Sequence, residues 1–371
     1  MLDRIRKVYQ LGQSIWYDNI QRRLLENGEL KRLIDDGQIY GITSNPSIFQ
    51  KAIADSSDYD KAIQPLRFSG LTPQEIFYKL AIADIQAAAD LFSNLYKTSG
   101  GRDGYVSLEV NPLLANDAEA TIKEAEILWK NVNRPNLMVK IPATREGLPA
   151  IRTCIAKGLN INATLIFSNE RYAEVMDAYL SGLEDRLAHG LPVDKIASVA
   201  SFFVSRVDTK VDGMLNQFVK EGKFSKEVSG RLLGKAAIAN SRLAYQLYKD
   251  VFGSERFARL KAAGARTQRP LWASTSTKNP SYSDVMYVDE LIAADTVNTV
   301  PPQTLSAFQD HGTARIGIPS DPVNSHHVME ELEKLGIPMQ SVTALLEEEG
   351  VAAFSKSFED LLETLNKKVA Q

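Results

Sequence analysis

Eight short β-like runs, most of them separated by helical patterns, restrict the fold of this 371-residue sequence more than any other feature. The runs are SIWYD (14–18), IYGIT (39–43), YVSLEV (105–110), LMVKI (137–141), INATLIF (161–167), IASVASFFV (196–204), PLWAST (270–275) and DTVNTV (295–300). Strands that alternate with helices indicate βαβ units and a parallel sheet. Eight such repeats favour a closed (β/α)8 TIM barrel. The alternative, an open doubly wound sheet, would be supported by a glycine-rich nucleotide loop, and the sequence contains neither GxGxxG nor GxxxxGK[ST].

Seven longer segments carry apolar residues at helical spacing. They cover residues 72–92, 117–130, 147–157, 169–189, 205–219, 234–251 and 350–368. The first has a strong start signal, because Thr72 can cap the helix, Pro73 suits its first position and Glu75 completes a capping box. The apolar face of the last segment consists of Phe354, Phe358, Leu361, Leu362 and Leu365. We expect residues from about 325 to 371 to form a helical extension that packs on the barrel, within one domain of residues 1–371.

The charge and composition exclude several classes of function. A net charge of −3 gives no bulk attraction to nucleic acid or to an anionic membrane, so an anionic substrate would need a local basic cluster. No apolar run approaches the roughly 18 residues of a membrane span, and the start of the chain does not resemble a signal peptide. The single cysteine, Cys154, excludes an internal disulfide and fits a reducing compartment. We therefore expect a cytoplasmic protein, monomeric or homodimeric, that binds neither nucleic acid nor membranes.

Polar residues fall at the ends of most of the predicted strands. In (β/α)8 enzymes the chemistry takes place at the carboxyl ends of the strands, so these residues are candidates for a site. They are Asp18, Thr43, Asn45, Glu109, Lys140, Asn162, Thr164, Ser201, Phe203, Arg206, Ser274, Ser276 and Lys278. Some also have ordinary structural explanations: Asp18 could cap a helix, Asn45 precedes a proline as turn residues do, and Arg206 could extend along a helix surface.

Lys140 is the residue that a structural interpretation explains least well. It lies in the apolar run LMVKI, which is typical of a central parallel strand, although lysine is rarely fully buried. Pairing with Glu109 as a buried ion pair is one explanation. The other is catalytic, because desolvation favours the neutral amine, which can attack a ketone and form a Schiff base. The protonated imine then withdraws electrons from the neighbouring carbon–carbon bond and permits aldol chemistry without a metal.

The histidines and the cysteine do not suggest a metal site. His189, His311, His326 and His327 fall in helix ends and loops. The adjacent pair among them lacks the i,i+4 spacing that metal ligands on a helix require. Cys154 lies on the apolar face of a short helix, where a core position is expected. We therefore expect no metal at the strand ends.

Five motifs in this order resemble the transaldolases of the pentose phosphate pathway. They are GITSNPSIF (41–49), VSLEV (106–110), MVKIPAT (138–144), INATLIFS (161–168) and ASFFVSRVD (200–208). Any one of them is a weak or moderate signal, whereas five at barrel-strand spacing are specific. The last motif and WASTSTKNPSYSDVMYV (272–288) are similar to a longer bacterial branch, some members of which are fused to a phosphoglucose isomerase. No isomerase domain is expected in this sequence.

The resemblance implies a (β/α)8 barrel of the class I aldolase type and suggests catalytic roles for four residues. Lys140 matches the lysine that forms the Schiff base. Asp18 matches the acid/base that takes the proton of the C4 hydroxyl and so triggers cleavage. Glu109 and Thr164 match the pair that positions a catalytic water for carbinolamine formation, dehydration and hydrolysis.

The resemblance also implies substrate-binding residues. Asn45 matches the amide that holds the dihydroxyacetone unit, and Thr43 lies beside it. Further substrate-lining positions are matched by Asn162, Ser201 and Phe203. Arg206 matches a phosphate-binding arginine.

The sequence departs from the family pattern after the seventh predicted strand. Other transaldolases place a second phosphate-binding arginine there, whereas this chain reads ASTSTKNP. Lys278 is the nearest cation and the candidate replacement. Ser274 and Ser276 could also donate hydrogen bonds to a phosphate.

The resemblance therefore implies a transferase that moves a dihydroxyacetone unit between sugar phosphates. The donor would be sedoheptulose 7-phosphate or fructose 6-phosphate, and the acceptor glyceraldehyde 3-phosphate or erythrose 4-phosphate. No metal or organic cofactor is expected, because the imine is the electron sink. One alternative is a Schiff-base aldolase similar to the fructose 6-phosphate aldolases, which are shorter and tend to carry glutamine in place of Glu109. Another is a non-catalytic barrel in which Lys140 and Glu109 form a structural ion pair.

Overall fold

Seven parallel strands form a curled sheet in the computed structural model, which describes residues 2–370. The strands are β1 (Gln13–Tyr17), β2 (Val106–Glu109), β3 (Leu137–Pro142), β4 (Ile161–Ile166), β5 (Ser198–Phe203), β6 (Arg269–Ala273) and β7 (Thr296–Val300). They pair in the order β1-β7-β6-β5-β4-β3-β2. Every strand residue is buried, as expected of parallel strands that are covered by helices on one face and by one another on the other.

Ile42 closes the sheet into a barrel. It forms parallel bridges to the last residue of β1 and to the first residue of β2, the two edges of the sheet. The strand predicted at residues 39–43 is therefore reduced to one bridging residue. A Cβ atom at Gly41 would lie 2.6 Å from the Trp16 indole, so this position requires glycine, which weakens a strand. The predicted barrel is confirmed, and its second strand is shorter than expected.

Helices surround the strands and follow most of them along the chain. They are α1 (Leu2–Gln10), α2 (Arg22–Glu26), α3 (Glu29–Asp35), α4 (Pro46–Ala54), α5 (Asp60–Ile63), α6 (Pro73–Thr98), α7 (Ala118–Val132), α8 (Gly147–Lys157), α9 (Asn169–Ala188), α10 (Ser205–Lys220), α11 (Lys226–Gly230), α12 (Ala236–Phe252), α13 (Glu255–Ala262), α14 (Met286–Asp289), α15 (Pro302–His311), α16 (Val323–Lys334) and α17 (Met339–Ala370). Short 3₁₀ turns cover Gln64–Leu66 and Pro112–Leu114. Among residues 2–370, no helix has the length and apolar content that a membrane crossing requires.

The predicted helices are present, and two are longer than their apolar patterns indicate. The capping box between Thr72 and Glu75 forms at the start of α6, which extends to Thr98 instead of ending near residue 92. The last helix, α17, begins at Met339 and not at residue 350. Both extensions carry mixed polar surfaces, so periodicity alone did not identify them.

The strand register places the key polar residues at one height in the barrel. Glu109 on β2 pairs with Lys140 on β3, which in turn pairs with Asn162 on β4. The β4 strand then bulges, and Leu165 adopts a left-handed backbone conformation with a φ of +61°. A buried non-glycine residue with positive φ is strained, and such strain concentrates at functional sites.

Candidate active site

A cavity of about 440 Å³ opens at the carboxyl ends of the strands, and most of the predicted site residues line it. These residues are Asp18, Thr43, Asn45, Lys140, Ser201, Phe203, Arg206, Ser274, Ser276 and Lys278. The other three, Glu109, Asn162 and Thr164, are buried on the strands that flank Lys140. The structure thus brings all the predicted residues to one end of the barrel.

The Lys140 amine lies at the base of this cavity with few partners. The side chain is almost fully buried, and its Nζ donates a hydrogen bond of 3.2 Å to the backbone carbonyl of Ser44. The nearest carboxylate oxygen is Glu109 Oε2 at 3.4 Å. The ring of Phe354 from the C-terminal helix has its centroid 5.8 Å from Nζ. An amine in this setting is largely shielded by protein, accessible from the cavity, and not held in a tight ion pair.

Glu109 and Thr164 flank the amine with unused hydrogen-bonding capacity. Burial raises the pKa of Glu109 to about 7, although the nearby Lys140 charge opposes this shift. Both Glu109 carboxylate oxygens and the Thr164 hydroxyl oxygen are buried, and none makes a hydrogen bond within residues 2–370. A carboxyl group with a pKa near neutrality can both accept and release a proton. This pair is therefore equipped to hold and activate a water or hydroxyl next to the amine.

Asp18 also lines the cavity, directly after the end of β1. Its Oδ1 accepts a hydrogen bond of 2.6 Å from the Thr43 hydroxyl, which lies 2.7 Å from the Thr299 hydroxyl. Burial raises the pKa of Asp18, while the Lys140 charge and the Thr43 hydrogen bond oppose the shift. The Asp18 charge also contributes to the raised pKa of Glu109, so the two carboxyl groups and the lysine form one electrostatically coupled set.

Two amide side chains offer hydrogen bonds at different depths. Asn162 accepts a hydrogen bond of 2.7 Å from the Ser201 hydroxyl and donates one of 3.1 Å to the Ser107 hydroxyl, so its orientation is fixed. Asn45 caps α4, because its side-chain oxygen accepts from the backbone N–H of Ile48 at 2.9 Å. Asn45 therefore has a structural role as a helix cap and not as the turn residue that the sequence suggested, and it also lines the cavity, where its NH₂ group is available to donate to a substrate oxygen.

The outer part of the cavity is positively charged. Arg206 in the first turn of α10, Lys278 after β6 and Lys51 on α4 all line it. Burial lowers the pKa of Lys278, and repulsion from Arg206 and Lys51 lowers it further. Burial lowers the pKa of Arg206, and the charge of Glu349 opposes this shift. The Glu349 carboxylate does not pair with Arg206, because it forms an ion pair of 2.6 Å with Lys210. Three cations that repel one another, with no carboxylate partner among residues 2–370, form a site suited to an anion.

Serine hydroxyls lie between these cations and the strand ends. Ser274 has a left-handed backbone with a φ of +56°, and its hydroxyl lies 2.9 Å from that of Ser205. Ser276 accepts a hydrogen bond of 2.9 Å from Lys278. The Arg206 guanidinium packs 5.5 Å from the centroid of the Phe203 ring, which holds it over the cavity.

Sequence reasoning missed four residues of this site. Thr299 is the last residue but one of β7 and Ser107 shares the inner face of β2 with Glu109, so the strand-end and alternation patterns could have identified both. Lys51 and Phe354 lie on helices, where no local pattern distinguishes a cavity-lining side chain from a surface lysine or a core phenylalanine. Only the packing of α4 and α17 over the barrel places them there.

Comparison with known proteins agrees with this geometry. The family model described as Transaldolase/Fructose-6-phosphate aldolase matches residues 15–365. The chain is 51% identical to a protein of Saccharopolyspora erythraea named transaldolase, over 97% of this chain and 96% of the other. It is 48% identical to the transaldolase of Mycolicibacterium smegmatis (95% and 94% covered) and 46% identical to that of Trichodesmium erythraeum (98% and 97% covered). The chain therefore belongs to the transaldolase/fructose-6-phosphate aldolase family.

Proposed function

We propose that the chain is a transaldolase, a transferase that moves a dihydroxyacetone unit from a ketose phosphate donor to an aldose phosphate acceptor. The observation that carries this proposal is the set formed by Lys140, Glu109 and Asp18, in which one buried amine is electrostatically coupled to carboxyl groups at the ends of two strands. Donors of this reaction are sedoheptulose 7-phosphate and fructose 6-phosphate. Acceptors are glyceraldehyde 3-phosphate and erythrose 4-phosphate.

The first half of the reaction forms the imine. After it has lost its proton, the Lys140 amine attacks the C2 carbonyl of the donor and gives a carbinolamine, which loses water to become a protonated Schiff base. Glu109 and Thr164 hold the leaving water, and Glu109 supplies the proton that it needs. The raised pKa of Glu109, about 7, suits a group that gives this proton and later takes it back.

The second half cleaves the carbon chain. Asp18 takes the proton of the C4 hydroxyl, the C3–C4 bond breaks, and its electrons pass to the imine to give an enamine on Lys140. The shortened aldose leaves. The enamine carbon then attacks the aldehyde of an acceptor, Asp18 returns its proton to the new hydroxyl, and hydrolysis frees the product and Lys140. Asn45 and Ser201 line the cavity where the hydroxyl groups of the retained unit would lie, and the buried Asn162 fixes the Ser201 hydroxyl by accepting its hydrogen bond.

We assign the phosphate end of the substrate to the cationic part of the cavity. Arg206 and Lys278 are the principal ligands, with Lys51 as a third cation and with Ser274 and Ser276 as hydroxyl donors. Arginine and lysine differ here, because a lysine binds phosphate as a point charge and lacks the two-pronged geometry of a guanidinium. Lys278 would thus supply charge but less directional binding than a second arginine.

The chemistry requires no metal or organic cofactor, because the protonated imine is itself the electron sink. The partners in this proposal are small sugar phosphates alone. A cytoplasmic location and a monomeric or homodimeric state stay predictions from the sequence.

Borohydride reduction tests the proposed lysine. Incubation with fructose 6-phosphate and borohydride should reduce the imine and add a three-carbon unit to Lys140, which peptide mass spectrometry would locate. An adduct on a different lysine, or no adduct at all, would refute the mechanism. Lys140→Met treated in the same way is the matched control and should remain unmodified.

A coupled assay separates the transferase from the alternative aldolase. Consumption of fructose 6-phosphate beyond a single turnover should depend on an added aldose phosphate acceptor. Rapid release of free dihydroxyacetone without an acceptor would instead assign the chain to the aldolase activity of the same family.

Replacement of Glu109 by glutamine tests the water-handling role. Glu109→Gln removes the group that exchanges a proton with water at the imine carbon, so turnover should fall by ~10²-fold, within the usual range for an acid/base residue. Imine formation and imine hydrolysis should slow together, because the same carboxyl group serves the loss and the addition of water, so the borohydride adduct on Lys140 should accumulate more slowly. Unchanged turnover would exclude Glu109 from this role.

A further inference from the structure

The C-terminal helix α17 passes over the carboxyl end of the barrel and supplies a wall of the reaction cavity. Phe354 lies on this helix, is almost fully buried, and lines the cavity together with Lys140. Its ring centroid is 5.8 Å from the Lys140 Nζ. The helix therefore does more than cover the outside of the barrel, because one of its side chains faces the amine.

Side-chain contacts hold α17 to helices on several sides of the cavity. They are Ser357–Ser47 at 2.7 Å on α4, Lys210–Glu349 at 2.6 Å on α10, Arg171–Glu347 at 3.2 Å on α9 and Lys368–Asp60 at 2.8 Å on α5. Anchors distributed around the cavity fix both the position of the helix along its axis and its rotation. The ring of Phe354 is thereby held in place over the amine.

Gly350 lets this helix approach the barrel closely. A Cβ atom at this position would lie 3.1 Å from the Leu165 side chain and 3.4 Å from the Phe167 ring. Leu165 is the strained residue of the β4 bulge, next to Thr164, and the bulge turns its side chain toward α17. Residues i and i+4 share one face of a helix, so Gly350 and Phe354 both face the barrel. Gly350 packs against Leu165, and Phe354, one turn later, covers the cavity.

We propose that Phe354 is a specificity-determining residue that keeps the dihydroxyacetone unit on Lys140 until an aldehyde arrives. The inference rests on the proposed transaldolase function and concerns the fate of the enamine. The apolar ring occupies space beside the amine that water would otherwise reach, and it has no proton to give.

The unwanted reaction that this ring suppresses is early release of the unit. In that reaction a water molecule protonates the enamine carbon C3, which leaves a protonated imine and a hydroxide ion. The hydroxide adds to the imine carbon, the proton of the resulting hydroxyl passes to the nitrogen, and the Lys140 amine leaves as free dihydroxyacetone forms. Hydrolysis of the imine also ends the transfer reaction, with water handled by Glu109 and Thr164, so only the protonation of C3 is specific to release. Excluding water on the Phe354 side slows this protonation, while the acceptor aldehyde still reaches the enamine carbon from the open side of the cavity.

The test compares release with transfer in variants of this helix. With fructose 6-phosphate alone, the rate of dihydroxyacetone release is measured enzymatically, and with erythrose 4-phosphate added, the rate of transfer. For Phe354→Ala the ratio of release to transfer should rise at least ~10-fold, which corresponds to about 1.4 kcal/mol in relative barrier height. Phe354→Leu, which keeps an apolar side chain and tolerates folding better, should show a smaller rise in the same direction.

Phe358→Leu is the matched control. Phe358 lies one turn further along α17, is buried against Phe77 with ring centroids 5.6 Å apart, and does not line the cavity. Its replacement should lower the unfolding temperature without changing the ratio of release to transfer. Gly350→Ala should raise the ratio, because the added Cβ pushes the helix away from Leu165.

The outcomes separate this inference from the proposed function. If the wild-type enzyme transfers the unit and the ratio is the same in folded Phe354→Ala and Phe354→Leu, the role of Phe354 is refuted and the transaldolase function stands. If the wild-type enzyme forms no borohydride adduct and transfers nothing, the proposed function itself is wrong. An equal rise in Phe358→Leu would indicate a general loosening of α17 and would also refute a specific role for Phe354.

Discussion

The barrel contains two buried ion pairs, one at each end, with opposite hydrogen-bonding environments. At the amino end, Asp103 is fully buried and accepts hydrogen bonds from the Arg269 guanidinium at 3.1 Å, the Trp16 indole at 3.1 Å and the Ser14 hydroxyl at 2.9 Å. At the carboxyl end, the charged partner of Glu109 is the Lys140 amine, whose Nζ lies 3.4 Å from Oε2. Neither carboxylate oxygen of Glu109 makes a hydrogen bond within the described chain.

The difference teaches how to distinguish a structural ion pair from a reactive one. A buried charge whose lone pairs are all satisfied is fixed in position and in protonation state. A buried charge with unused hydrogen-bonding capacity beside a cavity is free to exchange protons and to bind a ligand. Burial alone does not separate the two, because Arg269 and Lys140 are both buried charges on barrel strands. The number and geometry of the hydrogen-bonding partners distinguish the structural pair from the reactive one.

The largest expected effect comes from removing the amine at the carboxyl end. Lys140→Met should lower transfer activity by ~10⁴-fold or more, because no other group can form the covalent intermediate. The free energy of unfolding should change by less than ~1.5 kcal/mol, because methionine conserves the shape and Glu109, with a pKa of about 7, can become neutral by binding a proton. Activity assays and urea unfolding measure the two effects. Substantial residual turnover would remove Lys140 from the mechanism.

The same change at the amino end should have the opposite outcome. Arg269→Met removes the nearer cation of the buried Asp103 and leaves only Arg102 at 3.9 Å, which should lower the free energy of unfolding by ~3 kcal/mol. The kcat of the fraction that remains folded should stay near the wild-type value. The double variant Arg269→Met/Asp103→Asn should recover part of the stability, because it removes the uncompensated charge. A loss of kcat without a loss of stability would contradict the structural role of this pair.

A pH series sharpens the comparison. Because burial raises the pKa of Glu109 from 4.5 to about 7, the folded enzyme binds a proton that the unfolded chain has released in this window. The contribution of the protonated Glu109 to folding stability is therefore fully present below pH 4.5 and is lost as the pH rises through 7, by ~3–4 kcal/mol. Glu109→Gln should remove that part of the pH dependence, as the difference between the two unfolding profiles would show. Parallel profiles would mean that Glu109 titrates normally.

Most of the barrel and the inner part of the site followed from the sequence, because both depend on local patterns. Strand runs, helix caps and polar strand ends repeat at regular spacing, and the register then brought Glu109, Lys140 and Asn162 together as expected of parallel strands. The length of the second strand was overestimated, because the close contact between Gly41 and Trp16 depends on tertiary packing, which the run IYGIT does not reveal.

The parts of the site contributed by helices could not be predicted. Phe354 belongs to an apolar face that also contains Phe358, Leu361 and Leu365, and all four look alike in the sequence. Which of them meets the cavity depends on how α17 is rotated and anchored over the barrel. The amino-end ion pair was missed for a related reason, since Asp103 lies in a glycine-rich loop far from Arg269 along the chain.

The smallest expected effect concerns the third cation of the phosphate site. Lys51 is exposed on α4 at the rim of the cavity, so solvent weakens its attraction for the substrate phosphate. Lys51→Met should raise the KM for fructose 6-phosphate about 3- to 5-fold, or about 0.6–1 kcal/mol, with little change in kcat, because a charge contact made equally in ground and transition states alters binding alone. Added salt should reduce the difference in KM, since screening weakens an exposed contact.

Lys61→Met is the control, because Lys61 is also exposed, on α5, but does not line the cavity. An equal change in KM for both variants would assign the effect to net charge, and Lys51 would then have no direct part in binding phosphate.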